Sequence, residues 1–431
     1  MIETEIDQKL FQLVSGIQHP LSSVAVIVYS GGNRVYEAAF GEIHLSPPDN
    51  PRRKKVTLNT KFRIASISKW VMTLGLMLLV DQGLLDLDED LNHYLDFSLR
   101  NRSAPQTPIT IRHLLSHTST IHDGNAYSIP LPFTLNAFFE PGAKFYEDGN
   151  HFVLNQTVGE YFNYSNLNYG IAATIMEKVT QTRFDRLMRQ LVLGPLNLVA
   201  SYNVSAFSAD ALRQLAPLYR FVQGAWVPQV DDYSESGPLP LGPVENPDRD
   251  RLPNNQSAKL PHQADLTTYQ IGTNGTLFSP QGGLRISANG LATLMEMVFD
   301  RGMGKIGLSP ARFQEMLEPY WEFEAKKPVG EHGTGLMRSY GLSTHRFLGA
   351  GSNGKGDQFW PDTSEDHIWY GHLGDAYGLL SGFLFEPKNK NGMIYIIGGT
   401  PADLSICPGR YSSFHGWEED IFQAVFPLFN G

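Results

Sequence analysis

Ser66 and Lys69 stand three positions apart and together could supply a nucleophile and its base. If this segment opens a helix, the hydroxyl and the amine lie on one face, about one turn apart. A serine hydroxyl is a weak nucleophile until a neighbouring group removes its proton, and a lysine does so only when burial or nearby cations lower its pKa. The apolar neighbours Ile64 and Trp70 favour such burial. The spacing therefore predicts an acylatable serine with a lysine base.

The pair alone is weak evidence, because a chain of 431 residues contains about one or two Ser-x-x-Lys spacings by chance. Two further motifs strengthen the prediction. Tyr164 and Asn166 follow in a Tyr-x-Asn arrangement. His372 and Gly374 come later in a His-x-Gly arrangement, just before a predicted strand. A coincidental helix face does not explain three such motifs in this order.

The order Ser-x-x-Lys, Tyr-x-Asn and Lys/His-x-Gly resembles the signature of the superfamily of class C β-lactamases, DD-peptidases of the penicillin-binding protein type and related esterases. That superfamily includes family VIII-type esterases and D-aminopeptidases. The stretches 109–119 and 279–287 are also similar to it, so the resemblance covers most of the chain. It implies an α+β fold of the β-lactamase/transpeptidase type.

The resemblance implies catalytic roles for three residues and a binding role for a fourth. Ser66 would form the acyl-enzyme, and Lys69 would take its proton. Tyr164 would carry protons to the leaving group and later back from water. Asn166 would orient Lys69 and the substrate amide.

The third motif implies the rest of the substrate-binding set. The backbone N–H groups of Ser66 and of Asp375, the residue after Gly374, would form an oxyanion hole. His372 stands where many β-lactamases have lysine, and a neutral imidazole holds a substrate carboxylate less firmly than an ammonium group does. Strong β-lactamase activity is therefore not expected, whereas D-alanyl peptidase, D-aminopeptidase and esterase activities are compatible with this residue.

The function predicted from these motifs is a serine hydrolase that cleaves a peptide, amide or ester bond through an acyl-enzyme on Ser66. The preferred substrates are small molecules or peptides that end near a D-amino acid, as for a D-alanine carboxypeptidase. One alternative is a carboxylesterase of the same fold with broad acyl preference. Another, from a different class, is a non-catalytic relative that only binds a ligand in the cleft, which the intact motifs argue against.

Other chemistries find weaker support in the sequence. His113 and His117 have the spacing of metal ligands on a helix, but no glutamate completes a zinc-protease pattern, so neither metal nor cofactor is predicted. Two glycine-rich stretches, 302–307 and 349–354, lack a strand-turn-helix context and are interpreted as ordinary loops. No Gly-x-Ser-x-Gly sequence occurs, which argues against an α/β-hydrolase.

Composition excludes several classes of protein. Hydrophobic residues make up 42% and charged residues 18%, as in a folded enzyme. The formal net charge is −10 and there is no run of basic residues, so nucleic acids and anionic membranes are poor partners. Cys407 is the single cysteine, which rules out an internal disulfide. Oligomeric state stays open.

The apolar stretch 70–80 is too short for a membrane span, which needs about 20 residues, and predicts a buried helix instead. The acidic segment 1–7 has no features of a secretory leader. The visible N-terminus therefore predicts a cytoplasmic protein, or a periplasmic one if a leader was removed before numbering begins.

The elements that must position these residues follow from hydrophobic periodicity. The segments 23–30 and 34–40 predict a hairpin, and 378–386 and 393–397 predict two late strands. Helices are predicted within 1–20, from Thr110, over 167–180 and over 413–429.

Strands at both ends with helices between them predict two lobes. Residues 1–85 and 276–431 would form a lobe with a mainly antiparallel sheet flanked by helices, and 86–275 an inserted helical lobe. Six prolines between 234 and 261 predict a long irregular loop that covers the site. The active site would lie between the lobes.

Overall fold

The computed structural model describes residues 2–16, 20–45, 49, 53–231, 266–299, 302–333, 335–351, 354–361 and 368–429. Its helices are α1 Ile2–Ser15, α2 Ile67–Asp81, α3 Ile111–Leu115, α4 Leu167–Thr180, α5 Phe184–Met188, α6 Ala209–Leu212, α7 Ala288–Phe299, α8 Pro310–Leu317 and α9 Gly416–Val425. Its strands are β1 Ser23–Ser30, β2 Asn33–Ile43, β3 Lys54–Lys55, β4 Lys61–Arg63, β5 Leu218–Val222, β6 Ala225–Gln229, β7 Arg285–Ser287, β8 Trp321–Glu322, β9 Ser339–Tyr340, β10 His345–Phe347, β11 Trp369–Ala376, β12 Leu379–Glu386, β13 Asn391–Ile397 and β14 Gly399–Pro401. The fold is α+β, as predicted.

The main sheet joins strands from both ends of the chain. In the described residues its order is β3-β2-β1-β13-β12-β11-β10-β9-β8, and its paired strands run antiparallel. Strand β1 is buried along almost its whole length, because β-branched residues such as Val26 and Ile27 face helices on both sides of the sheet. Val26 lies opposite Ala38 in β2 and Tyr395 in β13. The predicted early hairpin and late strands thus meet at the centre of the sheet.

Helices cover both faces of this sheet. On one face, α1 and α9 bring Ile6, Leu10, Trp417 and Phe422 into an apolar cluster with the sheet. On the other face lie α2 and α7, and the Trp70 ring of α2 packs 4.9 Å from a phenylalanine ring of β12. Apolar burial on this scale is what holds a layered fold of this kind together.

Helix α2 carries the first motif and is buried along its length. From Ile67 to Val80 each of its residues is buried, including Lys69, whose side chain is fully removed from solvent. The helix ends where Gly83 adopts a φ of 71°, a left-handed conformation that glycine accepts without steric cost. The predicted buried helix is confirmed. No helix in the described ranges is long and apolar enough to cross a membrane.

Residues 86–231 hold α3, α4, α5 and α6, together with a hairpin that the sequence analysis did not predict. In this hairpin, β5 pairs with β6 and also runs parallel to β14 from the C-terminal part of the chain. Strand β6 has only five residues and contains Pro228, which hides the strand pattern. The predicted proline-rich loop at 234–261 lies outside the described residues.

Candidate active site

Ser66 lies at the N-terminal end of α2, where free backbone N–H groups point out of the helix. Ala65, just before it, has a φ of 50°, a left-handed conformation that costs a residue with a Cβ about 1 kcal/mol. This sharp turn leaves the Ser66 side chain partly exposed while its neighbours are buried. The positive end of the helix favours negative charge at this position.

Lys69 is one helical turn away and its amine contacts the hydroxyl of Ser66. Nζ lies 2.9 Å from Ser66 Oγ, 2.8 Å from Asn166 Oδ1 and 3.0 Å from the carbonyl oxygen of Gln281. Burial lowers the pKa of Lys69 to about 7, and the carboxylate of Asp123 opposes that shift. The ammonium form donates all three hydrogen bonds, whereas the neutral amine can accept the Ser66 proton. Both forms are populated near neutral pH.

Asp123 orders the second motif and was not identified in the sequence. Its Oδ1 accepts the backbone N–H of Asn166 at 2.6 Å and of Leu167 at 2.9 Å, and the hydroxyl of Ser165 at 3.0 Å. Its Oδ2 accepts the Asn166 side-chain N–H at 2.8 Å, which turns the amide oxygen of Asn166 toward Lys69. Asp123 thus caps α4 and fixes Asn166. It sits in a loop after α3, where no local pattern marks it.

Tyr164 lies beside both the nucleophile and the base. Its ring centre is 4.7 Å from the Lys69 amine. Burial raises the pKa of Tyr164 well above its usual value, against the opposing effect of a hydrogen bond with Ser66, so the side chain remains a phenol. The ring of His117 stacks on it at 4.3 Å, and His117 Nδ1 accepts the Ser165 N–H at 3.0 Å. The stacked His117 ring therefore fixes the position of the Tyr164 ring.

His372 lies one layer behind Tyr164, with the two ring centres 6.3 Å apart. Its Nδ1 is 2.6 Å from the carbonyl oxygen of Leu373, and its Nε2 is 2.8 Å from the Tyr340 hydroxyl. Since a carbonyl only accepts, Nδ1 carries the proton and Nε2 accepts from Tyr340. Burial, with Lys69 nearby, lowers the pKa of His372 to about 3. The ring is neutral, and both nitrogens bond to protein groups.

Gly374 brings β11 against the turn that precedes Ser66. A methyl group at position 374 would lie 2.4 Å from the Ile64 carbonyl oxygen, so only glycine allows this approach. Strand β10 pairs with β11 only at residues 369–371, and within the described ranges no strand flanks that edge further along. Asp375 follows on this edge with an exposed side chain. A substrate backbone can therefore lie along β11 beside Ser66.

A cavity of about 420 Å³ opens beside Tyr164 and is bordered by Asp123, Asn163 and Glu331. A second cavity, of about 530 Å³, borders Arg186 and contains none of the predicted site residues. Of the predicted site residues, Tyr164 borders the first cavity.

The histidines considered as metal ligands are engaged elsewhere. His113 Nδ1 accepts the Thr110 N–H at the start of α3, and His117 stacks on Tyr164. In the part of the chain that the structure describes, no three His, Cys, Asp or Glu side chains are grouped as metal ligands would be.

The sequence matches the Beta-lactamase family over residues 6–405. It is 26% identical over 204 residues to penicillin-binding protein 4* of Bacillus subtilis (strain 168), covering 46% of this chain and 41% of that protein. It is 27% identical over 192 residues to protein flp of Staphylococcus aureus (strain MRSA252), covering 43% of this chain and 37% of that protein. The chain thus spans less than half the length of these relatives.

Solved structures resemble the chain over almost its whole length. The D-amino acid amidase of Ochrobactrum anthropi SV3 has a TM-score of 0.62 at 17% identity and covers 99% of both chains. EstCE1, a hydrolase with promiscuous acyltransferase activity, has a TM-score of 0.62 at 17% identity and covers 99% of this chain and 98% of its own. The octameric penicillin-binding protein homologue of Pyrococcus abyssi has a TM-score of 0.59 at 19% identity and covers 99% and 76%. At these identities the likeness establishes the fold.

Proposed function

The chain belongs to the Beta-lactamase family, and on that premise we propose that it is a serine hydrolase that cleaves an ester, amide or peptide bond through an acyl-enzyme on Ser66. The observation that carries this proposal is the 2.9 Å contact between Ser66 Oγ and a fully buried Lys69 amine. Burial makes the lysine a usable base at neutral pH, because it brings the pKa to about 7.

Acylation begins when neutral Lys69 takes the Ser66 proton as Oγ attacks the substrate carbonyl carbon. The C–O π bond opens and its electron pair moves onto the carbonyl oxygen. The backbone N–H groups of Ser66 and Asp375 would hold this oxyanion, since β11 lies beside the nucleophile. The helix start at Ser66 adds a favourable positive potential.

The leaving group departs when the tetrahedral intermediate collapses. Its bond to the carbonyl carbon breaks, and Tyr164 donates a proton to the departing oxygen or nitrogen while Lys69 returns one to Tyr164. Asn166 keeps the amine in place, because Asp123 fixes its amide oxygen toward Lys69. In deacylation a water molecule gives a proton to the same groups and attacks the acyl carbon, which releases the acid and restores the Ser66 hydroxyl.

The substrates that we favour are amides and esters next to a D-amino acid. Support comes from the similarity to a D-amino acid amidase and a penicillin-binding protein. The neutral, buried ring of His372 gives no permanent positive charge at the position where many β-lactamases have lysine. This argues against strong β-lactamase activity.

A carboxylesterase with broad acyl preference is the second candidate. The same neutral His372 favours it, because an ester without a carboxylate needs no cation at that position. The similarity to EstCE1 is in line with this candidate.

Both candidates are tested by turnover of nitrophenyl butyrate and of D-alanyl-D-alanine peptides. Ser66→Ala is expected to lose at least about 1,000-fold in kcat with the preferred substrate, because no other group can form the acyl-enzyme. Ser68→Ala is the matched control, since the Ser68 hydroxyl is fully buried and accepts the Leu284 N–H at 3.0 Å. Melting temperatures verify that both variants fold.

The pattern of results separates the candidates. Peptide cleavage that depends on Ser66 supports the D-amino acid substrates, and ester cleavage alone supports the esterase. Full turnover by Ser66→Ala refutes the serine mechanism. Stoichiometric ligand binding by the wild type without any turnover would identify a binding protein instead.

A further inference from the structure

Four buried hydroxyl groups form a hydrogen-bonded chain that ends on His372. The hydroxyl of Tyr340 lies 2.8 Å from His372 Nε2, and it also hydrogen-bonds the hydroxyl of Tyr169. The Tyr169 hydroxyl lies 2.7 Å from Ser343 Oγ, and Thr73 Oγ1 lies 2.6 Å from the same Oγ. All five side chains are buried. The proposed mechanism uses none of these hydroxyl groups.

The direction of the chain follows from the number of its protons. His372 Nε2 accepts the Tyr340 proton, and each hydroxyl group has one proton to donate. Tyr169 therefore donates to Tyr340, and Ser343 donates to Tyr169. Thr73 in turn donates to Ser343. Removal of one hydroxyl leaves its neighbours short of a partner among buried side chains, which is costly and favours a shift of the surrounding groups.

The chain joins the three elements that carry the motifs. Thr73 lies in α2, one turn after the proposed base. Tyr169 lies in the first turn of α4, just after the second motif. The other end of the chain, His372, belongs to β11. Tyr340 in β9 and Ser343 in the turn before β10 connect these elements. The β9–β10 hairpin is thus hydrogen-bonded to all three.

The hydrogen bond between Tyr340 and His372 supports β11 where its pairing with β10 ends. The ladder between these strands covers residues 369–371, and His372 is the next residue. Beyond it, no strand from the described part of the chain pairs with this edge. The backbone N–H of Asp375, the proposed oxyanion donor, lies on that stretch. A shift of β11 at His372 would therefore change the distance between this N–H and Ser66.

Ser343 holds a backbone conformation that serine rarely adopts. Its φ is 49°, in the left-handed region that is unfavourable for a residue with a Cβ. Its backbone N–H donates to the Leu115 carbonyl oxygen at 2.8 Å, which helps to hold the turn in place. Such strain persists where the surrounding structure enforces it, often near functional sites. Glycine suits this conformation better, so what serine adds is its hydroxyl group.

We propose that Tyr340 and Ser343 are positioning residues for the reaction, because their hydroxyl groups hold β11 in place relative to α2 and α4. This proposal rests on the proposed function and adds two residues that act through other groups. Tyr340 acts through His372, and Ser343 acts through Tyr169 and Thr73. Loss of either hydroxyl weakens the stabilisation of the tetrahedral intermediate and leaves the base unchanged.

The test measures kcat/KM for nitrophenyl butyrate together with inhibition by propylboronic acid. This acid places boron where the butyryl carbonyl carbon reacts, so its adduct with Ser66 mimics the tetrahedral intermediate. Tyr340→Phe is expected to lower kcat/KM by about 10- to 100-fold and to raise the inhibition constant by a similar factor. The pH midpoint of acylation should stay at the wild-type value, because the substitution changes no charged group.

Ser343→Gly keeps the test valid if Tyr340→Phe fails to fold. Glycine removes the hydroxyl but suits a φ of 49°, so the melting temperature should stay close to that of the wild type. The same two losses are expected. Tyr29→Phe is the matched control, because its buried hydroxyl donates to Glu296 between β1 and α7, which carry none of the three motifs. It should lower the melting temperature and leave both constants at their wild-type values.

Parallel changes of both constants in Tyr340→Phe and Ser343→Gly, with Tyr29→Phe unchanged, support the positioning role. Wild-type constants in a folded variant overturn it, and so does a loss of kcat/KM without a change in inhibition. Equal losses in Tyr29→Phe also overturn it, because they would reflect stability alone. D-alanyl-D-alanine peptides replace the ester if the wild type cleaves only peptides. A wild type that cleaves neither refutes the proposed hydrolase itself, so the two failures are distinguishable.

Discussion

Replacing Asp123 by asparagine is expected to lower the pH at which acylation of Ser66 reaches half its full rate. The Asp123 carboxylate stabilises the ammonium form of Lys69 and so raises its pKa against the larger effect of burial. Without that charge, the pKa of Lys69 falls below about 7. Because the neutral amine is the base, the rising limb of the pH profile moves to lower pH.

The size of the shift follows from the hydrogen-bonded path between the two charges. Asn166 links them through contacts of 2.8 Å on each side. With the width of the amide, the charges are about 7 Å apart, which at an effective dielectric constant of about 20 corresponds to about 2 kcal/mol. The midpoint should therefore fall by about one to two pH units. Asparagine keeps one oxygen to accept the backbone N–H groups that Asp123 caps, so the fold should survive, although its amide nitrogen cannot accept the side-chain N–H of Asn166.

The assay is the burst of nitrophenol from an activated ester, followed by stopped flow between pH 5 and pH 9. Asp96→Asn is the matched control, because its carboxylate pairs with Lys178 at the opposite end of α4. That control should keep the wild-type midpoint. An unchanged or higher midpoint in Asp123→Asn would refute the assignment of Lys69 as the base that Asp123 tunes.

Three other substitutions test separate parts of the site. Tyr164→Phe should slow amide hydrolysis by about 100- to 10,000-fold and nitrophenyl ester hydrolysis much less, because a good leaving group needs no proton. The loss in kcat/KM is compared between the two substrates. Gly374→Ala should lower kcat about 100-fold, because the added methyl group meets a backbone oxygen and moves β11. Gly304→Ala is the control, because a methyl group at position 304 has no atom within 4 Å. His372→Asn should leave the pH midpoint of acylation in place, because the pKa of His372 is about 3. It should lower the free energy of unfolding, measured in urea, by about 1–3 kcal/mol, because the Tyr340 hydroxyl loses its acceptor.

The parts of the fold that the sequence predicted are those with local patterns. Helices α2 and α4 and the strands at both ends of the chain follow from periodicity and turn residues within one segment. The contact between Ser66 and Lys69 is also local, since residues three apart on a helix meet on one face. Such features need no knowledge of which segments pack together.

The features that the sequence did not predict depend on distant segments. Asp123 acts through Asn166, which lies in a different element, and nothing in the loop that carries Asp123 signals that meeting. The substrate-binding role of His372 stays a prediction from its position in a motif, whereas the bonding of its ring was not predicted. Its partner Tyr340, on another strand, shows that its ring bonds within the protein. The hairpin of β5 and β6 was missed because its pairing with β14 is long-range.

The most direct test of the proposed mechanism is the mass of the intact protein after brief exposure to an activated ester and, separately, to a penicillin. One acyl adduct from the activated ester is expected in the wild type and in Ser68→Ala and none in Ser66→Ala, and peptide mapping should place the acyl group on Ser66. An adduct that persists in Ser66→Ala, or turnover of the ester by the wild type without any trapped acyl-enzyme, would contradict the assignment of Ser66 as the nucleophile.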